Sequence, residues 1–404
     1  MTAETISGPT ARQNRFASLD VLRGFAVLAI FVVNIKAMLA PFPYYLNASL
    51  WAEPTDQLVA ALQAFFIDDK WRTIFTGLFG AGLVLMAEKT AQAGARPTSR
   101  IIRRNWWLLA FGLTHMIGIW IGDILTNYAI AGFVAMLFWQ KSPKALWGWS
   151  AVIFVISYIW LNGFNIAYLY VPEARAQIEP VLWFPGAEDL RKSFDIYLSP
   201  DPLVHVGARF FEALGYLFFS VLGGIAAQTV AIMLAGMALW KNGFLKGTLS
   251  AGLYACVAGV GLILAFLLDA GRWFTLVQSG WSFEAFNYTQ LTNTFNGPAG
   301  GIGYAALILW LMKRSAQFAP MATVGRMAFT NYIACSLVGT TLAGGHAFGL
   351  YSRLSNLEMM GIVAATWVTL TLFSMLWLSV FRFGPLEWIW RSLTYGRVQP
   401  VLRG

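Results

Sequence analysis

The chain has 404 residues, 58% hydrophobic, 16% aromatic and only 12% charged, with a mean hydropathy of +0.60. A soluble domain carries about 25% charged residues, so this composition excludes one, and it equally excludes a disordered chain, a collagen and a small disulfide-stapled module. The net charge of +9 raises the question of a nucleic-acid partner, and the distribution of the charges argues against one.

Apolar runs fall at 22–39, 73–88, 105–121, 124–139, 145–165, 205–240, 247–268, 298–312, 328–343 and 358–380. Each reads as a membrane-spanning helix, which predicts an all-α polytopic membrane protein of about ten spans. The first run follows Arg12, Arg15 and Arg23 like the front of a signal peptide. The nine later runs, and the lack of a small-residue cleavage site, argue for a retained helix. Residues 1–17 then form a cytoplasmic tail and 18–404 a single transmembrane domain.

Between the first two runs, 41–72 is rich in aromatics and prolines, and an interfacial helix is expected near 56–68. The segment 166–204 holds six acids and five prolines. It reads as an extracytoplasmic loop too proline-rich for a regular helix, serving as a lid or a plain connector. No repeat of fixed period is visible, so an inverted-repeat transporter gains no support.

With the N-terminus inside, nineteen of the 28 basic residues and four of the 19 acids fall on the cytoplasmic side. That side carries +15 and the other −6, which places both termini inside by the positive-inside rule. The cluster Arg100, Arg103 and Arg104 is explained by topology and anionic-lipid contact, with a role in holding an anionic cofactor as the other reading.

Motifs of soluble enzymes are missing: there is no HExxH, CxxC, GxSxG or P-loop. With three histidines and no ligand spacing, no metal site is expected. Cys256 and Cys335 lie in apolar runs and read as free thiols. Glycines at 77, 80, 82, 297, 300, 301 and 303 read as close-approach positions between helices.

Polar residues inside apolar runs therefore carry whatever chemistry there is. Asp20 and Arg23 are three apart and able to pair, with Asn34 three turns further along that face. His115 lies about seven residues from the outer end of the third span. It is either a general base or a buried hydrogen-bonding histidine, and Asp123 either orients it or caps the next helix. Lys70 and Arg72 either bind an anionic substrate group or pair with Asp68 and Asp69. His205 and His346, at outer helix ends, read as wet surface residues.

Several strings resemble the bacterial YeiB-like membrane proteins, a domain family of unknown function. They include Ser18-Leu-Asp20-Val-Leu-Arg23-Gly-Phe-Ala26 with Asn34-Ile35, Lys70-Trp-Arg72 with Leu78-Phe-Gly80-Ala-Gly82, and Gly122-Asp-Ile-Leu125 with Tyr128-Ala129. Arg326-Met-Ala-Phe-Thr330-Asn331-Tyr332 and the closing string from Phe381 to Arg397 are similar as well. The likeness covers nearly the whole chain, and its closing string is the most specific part.

That family looks related to the transmembrane acyltransferase superfamily, which includes heparan-glucosaminide acetyltransferase and bacterial surface-glycan acyltransferases. The resemblance implies an acyl group taken from cytoplasmic acyl-CoA and delivered to an acceptor beyond the membrane. At Asn34 it departs from the glycan acyltransferases, which have histidine there, and agrees with the acetyltransferase branch; that branch has a histidine soon after the first helix, whereas here no histidine precedes His115.

On this reading Arg23, Arg326, Arg391 and Arg397 hold the donor phosphates. His115 oriented by Asp123 removes the acceptor proton, Asn34 or Asn331 donates to the oxyanion, and Lys70, Arg72, Asn331 and Tyr332 line the substrate path. Membrane lipids, an acyl donor and an acceptor are the expected partners, with no nucleic acid; a homo-oligomer is compatible. The expected location is the inner or plasma membrane. The competing class is a carrier for a small anionic or amphipathic compound, and a third is a lipid-binding scaffold.

Overall fold

A computed structural model describes residues 17–403. The expected cytoplasmic tail, with Arg12 and Arg15, lies outside the described residues except for Ala17. The described chain is all helical, its one β-bridge joining Phe381 to Leu402.

Helix α1 (Ala17–Leu39) runs through the middle of the molecule. Its apolar residues are spread around the whole circumference, and sixteen of its 23 residues are buried, as expected of a helix packed on all sides. Two short helices follow, α2 (Phe42–Leu46) and α3 (Pro54–Phe66), the second close to the interfacial helix expected from the sequence. Then come α4 (Lys70–Gln92), α5 (Pro97–Gly118), α6 (Leu125–Ala135) and α7 (Pro143–Tyr170). Pro97 and Pro143 open their helices at the first turn, where a missing N–H costs nothing.

The segment 166–204 corrects the sequence expectation of an irregular loop. Helix α7 runs on to Tyr170, and α8 (Pro172–Leu182) and α9 (Ala187–Tyr197) follow. Pro172 begins a helix, Pro185 sits between two, and Pro200 follows one. Four of the five prolines punctuate helices here instead of preventing them, and the fifth, Pro180, is accommodated in the last turn of α8.

The run 205–240 is likewise two helices, α10 (Pro202–Leu222) and α11 (Ile225–Lys241), meeting at 59°. The break falls at Gly223-Gly224, where Gly224 takes φ +91°, a conformation that glycine adopts readily. Next are α12 (Ala251–Gln278), α13 (Phe283–Asn293) and α14 (Asn296–Lys313), the last two bent by 47°. The chain ends with α15 (Ala319–Arg326), α16 (Ala328–Ala343), α17 (Asn356–Val380) and α18 (Pro385–Tyr395).

Among the described residues, five helices are long and apolar enough to cross a membrane, or seven if each bent pair is one span. Their outward faces support the same conclusion. On α17 the buried positions are Asn356, Met359, Val363, Thr366, Leu370, Ser374 and Leu378, three or four apart. Large apolar residues such as Val368, Leu372 and Leu376 face outward. On α7, Ser150, Ser157 and Asn162 point inward while Val155, Ile156 and Ile159 point out. Polar residues inside and apolar ones outside is the pattern of helices bathed in lipid. The protein is a membrane protein.

Close crossings set the position of the site. Gly24 on α1 and Gly325 on α15 face each other so closely that a Cβ on Gly325 would collide with the Asp20 carbonyl. Gly77 on α4 and Gly236 on α11 make a second such crossing. Gly82, by contrast, has only the Arg23 guanidinium near its missing Cβ, at 3.6 Å.

Candidate functional site

At the end of the molecule where α1 begins, a cavity of about 290 Å³ opens between α1, α4, α5, α16 and α18. Seven basic side chains line it: Arg23, Lys89, Arg100, Arg104, Arg326, Arg382 and Arg391. Against them stand two acids, Asp20 and Glu387, leaving five excess positive charges around one small volume. The rest of the lining is largely apolar, including Phe75, Leu78, Phe79, Leu108 and Phe329.

Aromatic rings hold several of the guanidinium groups. Arg104 lies between Phe79 and Trp390, at 4.4 and 4.5 Å from the ring centroids. Its Nη1 is buried with no hydrogen-bond partner among the described residues. Arg391 stacks over Phe383 at 4.9 Å and Arg100 over Tyr395 at 4.9 Å. Stacking fixes a guanidinium while leaving its N–H edge available to an anion. Arg23 is paired with Asp20 at 3.3 Å, as the sequence spacing predicts.

Helix α18 is fastened over this cavity by Glu387. Its Oε1 accepts from Phe329 N at 2.7 Å and Thr330 N at 3.1 Å, and its Oε2 from the Thr330 hydroxyl at 2.6 Å. The carboxylate thus caps the first turn of α16, the favourable end for negative charge. Burial pushes the Glu387 carboxyl above its ordinary pKa, and the hydrogen bonds from Thr330 and Phe329 act in the opposite direction.

Behind the cavity lies a His–Asp pair. His115 Nδ1 is 2.8 Å from Asp123 Oδ1, and both side chains are buried. Asp123 Oδ2 accepts from Thr126 N at 2.6 Å, so the two readings of Asp123, orienting group and helix cap, are both realised. His115 Nε2 is buried and has no hydrogen-bond partner among the described residues. The Tyr332 ring packs 5.2 Å from the His115 ring, and Tyr332 also lines the basic cavity. Helix α5 ends at Gly118, which puts His115 in its last turn, nearer the end than the sequence suggested.

A second cavity, of about 360 Å³, is lined by polar residues including Arg72, Asn127, Asn165, Tyr216, Gln228, Gln290 and Asn293. The first turn of α4 borders this cavity and the rest of α4 borders the basic one. Tyr128 lines both, its hydroxyl 2.7 Å from that of Thr76.

The remaining candidates are placed as follows. Arg326 and Arg391 line the basic cavity, whereas Arg397 is exposed and does not. Asn34 is half-buried on α1, lines neither cavity and makes no side-chain hydrogen bond among the described residues. Asn331 is fully buried, its Nδ2 donating to Val324 O at 3.1 Å and Ser374 Oγ at 3.0 Å. Both amide hydrogens of Asn331 are therefore used in joining α16 to α15 and α17. Neither asparagine shares a hydrogen bond with His115 among the described residues.

Arg72 does pair with Asp69, at 2.8 Å. Lys70 instead reaches across the fold to Asp269 on α12, at 2.9 Å, and Asn296 donates to the other carboxylate oxygen. That partner lies 199 residues away and had no signal in the sequence. His205 is buried, its Nε2 3.0 Å from Ser199 O and 3.4 Å from His346 Nδ1. It is no wet surface residue, because α9 and the chain after α16 close over it; His346 itself is exposed.

Across 98% of its length and 98% of the relative, the chain is 30% identical to YxaH, an uncharacterized protein of Bacillus subtilis (strain 168). It is 28% identical to YeiB, an uncharacterized protein of Escherichia coli (strain K12), over 96% of this chain and 98% of the relative. The chain belongs to the YeiB-like family. A third relative, an uncharacterized 39.9 kDa protein of the amylase 3′ region in Bacillus acidopullulyticus, is 27% identical over 98% of each chain. The family described as "Protein of unknown function (DUF418)" matches residues 239–397, from the end of α11 through α18. This stretch supplies Tyr332, Glu387 and three of the basic residues of the cavity. No solved structure matches.

Proposed function

We propose that the protein is a membrane acyltransferase that takes its acyl group from cytoplasmic acyl-CoA and passes it to an extracytoplasmic or lipid-linked hydroxyl or amine. One observation carries the reading. Seven basic side chains surround a single cavity whose inner wall, Tyr332, packs on the buried His115–Asp123 pair. A nucleotide bearing several phosphates matches an excess of five positive charges, and stacked arginines suit phosphate recognition. The apolar lining suits the acyl chain and its pantetheine arm.

The topology proposed from the charges agrees with this assignment. Every charged residue of the basic cavity belongs to the set placed inside, and those of the opposite end to the set placed outside. The chain would then cross the inner or plasma membrane about ten times with both termini in the cytoplasm, counting the shorter helices and each bent pair as one span.

In the proposed reaction His115 Nε2 takes the proton of the acceptor hydroxyl while the acceptor oxygen attacks the thioester carbonyl. The C–S bond then breaks, and the departing CoA thiolate takes that proton back from His115. Asp123 holds Nδ1 and favours the imidazolium that forms transiently. The Tyr332 hydroxyl, which accepts from Ile124 N at 3.2 Å and whose ring packs on His115, takes the role first given to the asparagines. Tyr332 also stands between His115 and the cavity, so its ring must turn aside for the reaction.

The test supplies labelled acyl-CoA to the purified protein reconstituted in sealed vesicles with bacterial lipid and glycan extract. Label covalently attached to a lipid or glycan supports the enzyme. Passage of a compound across the membrane with no covalent product supports a carrier and overturns the proposal.

A further inference from the structure

A third cavity, of about 160 Å³, lies where α1 ends and α4 begins, away from the basic cavity. Five charged side chains line it: Lys36, Asp68, Asp69, Asp269 and Arg272. Two of the acids are already neutralised, Asp269 by Lys70 at 2.9 Å and Asp69 by Arg72 at 2.8 Å. The other three are not. Lys36 is 3% exposed, and its ammonium finds only the Gln63 amide oxygen at 2.8 Å and the Tyr45 ring at 5.6 Å among the described residues.

Arg272 makes no hydrogen bond or ion pair among the described residues, and its Nε is buried without a partner. Asp68 likewise has no ion pair among them. Lys36 is buried while Asp68 and Arg272 are half-buried, and a charge withdrawn from water inside a membrane protein is ordinarily paired, because the cost of leaving it alone is high. Here two cations and one carboxylate face a common void with one positive charge in excess.

We infer that this cavity binds a small organic carboxylate, its anionic end held between Lys36 and Arg272 and its body against Tyr45, Trp273 and Trp281. The charge count selects a monoanion, since one carboxylate leaves the cavity neutral and a phosphate monoester would overshoot. The forked guanidinium of Arg272 matches a carboxylate through two parallel N–H groups. The three aromatic side chains in the lining select a ligand with an apolar or aromatic body. The anion-binding role that the sequence suggested for Lys70 and Arg72 thus passes to Lys36 and Arg272, two cations that share the single carboxylate of Asp68 and make no direct ion pair among the described residues. This inference is independent of acyl transfer.

The experiment titrates benzoate, benzamide and dimethyl phosphate into the purified full chain in detergent by calorimetry. Benzoate is expected to bind saturably and raise the melting temperature, while its neutral isostere benzamide does neither. Arg272→Gln should weaken benzoate at least about tenfold, and Asp68→Asn, which removes the competing negative charge, should tighten it. Equal behaviour of benzoate and benzamide overturns the inference, whether or not either variant folds. So does preferential binding of dimethyl phosphate, which would assign the cavity to a phosphodiester. A well-folded Arg272→Gln protein that retains full benzoate affinity overturns it as well.

Discussion

Asp123 uses its two carboxylate oxygens for two purposes: Oδ1 meets His115 Nδ1 at 2.8 Å, and Oδ2 caps α6 through Thr126 N at 2.6 Å. One side chain therefore fixes both the imidazole and the helix that carries Tyr128. The two roles can be separated by substitution. In Asp123→Asn the amide oxygen can still cap α6 while the charge is lost, so the melting temperature should stay close to wild type. Acyl transfer should fall by about 10²- to 10⁴-fold. Asp123→Ala should lose the cap as well, at about 0.5–2 kcal/mol. Thermal unfolding beside a transfer assay separates the two effects.

Arg104 is held by rings, so lysine should not replace it. An ammonium has no planar fork to lie between Phe79 and Trp390. Both Arg104→Lys and Arg104→Met should weaken binding of 3′,5′-adenosine diphosphate, used as a stand-in for the nucleotide end of the donor, by about 5- to 30-fold. Fluorescence or calorimetric titration at two salt concentrations checks this, since a phosphate contact also weakens as salt rises. An Arg104→Lys protein with unchanged affinity would remove Arg104 from the site.

The Lys70–Asp269 pair is buried, with side chains 1% and 2% exposed. Removing one partner leaves the other charge alone, so Lys70→Met should cost about 3–5 kcal/mol. Lys70→Met with Asp269→Leu should recover much of that loss. A double-mutant cycle on thermal or denaturant stability decides between this structural role and the substrate-binding role read from the sequence. If Lys70→Met is stable and loses only activity, the substrate-binding role stands.

Gly325→Ala should be severe, because its Cβ would meet the Asp20 carbonyl. Overpacking at such a crossing costs about 1–3 kcal/mol and more where backbone must move. Gly148 on α7 has open space where a Cβ would sit, with no other atom within 4 Å among the described residues. Gly148→Ala should therefore be neutral or stabilise by about 0.5–1 kcal/mol. Comparing the two variants by thermal unfolding tests the packing of α1 on α15.

Local relations were legible in the sequence and distant ones were not. Asp20 and Arg23 are three residues apart on one helix, and His115 and Asp123 are eight residues apart across the short connection from α5 to α6, so nearness in sequence suggested both pairs. The membrane class followed from composition, and the helix near 56–68 from its pattern. Lys70 and Asp269 come together only through the packing of α4, α12 and α14, which no local pattern encodes.

Arg104 was visible as part of a basic cluster, but a topological charge and a ligand-binding charge look alike until the rings of Phe79 and Trp390 are placed around one of them. Four of the five prolines of 166–204 misled because their effect depends on position: at the start of a helix or between two helices they are compatible with helix on either side, and only Pro180 sits inside one, in the last turn of α8. His205 was misplaced because the cover supplied by α9 is a tertiary contact.

The most direct test of the account places the protein in sealed vesicles with its basic cavity outward, adds labelled acetyl-CoA outside, and recovers acceptors from the lumen. Wild-type protein is predicted to leave covalent label on luminal acceptors, and His115→Gln protein of equal stability to leave about 10²-fold less or none. Luminal label at the wild-type level with His115→Gln, or no covalent label with either protein, would contradict it.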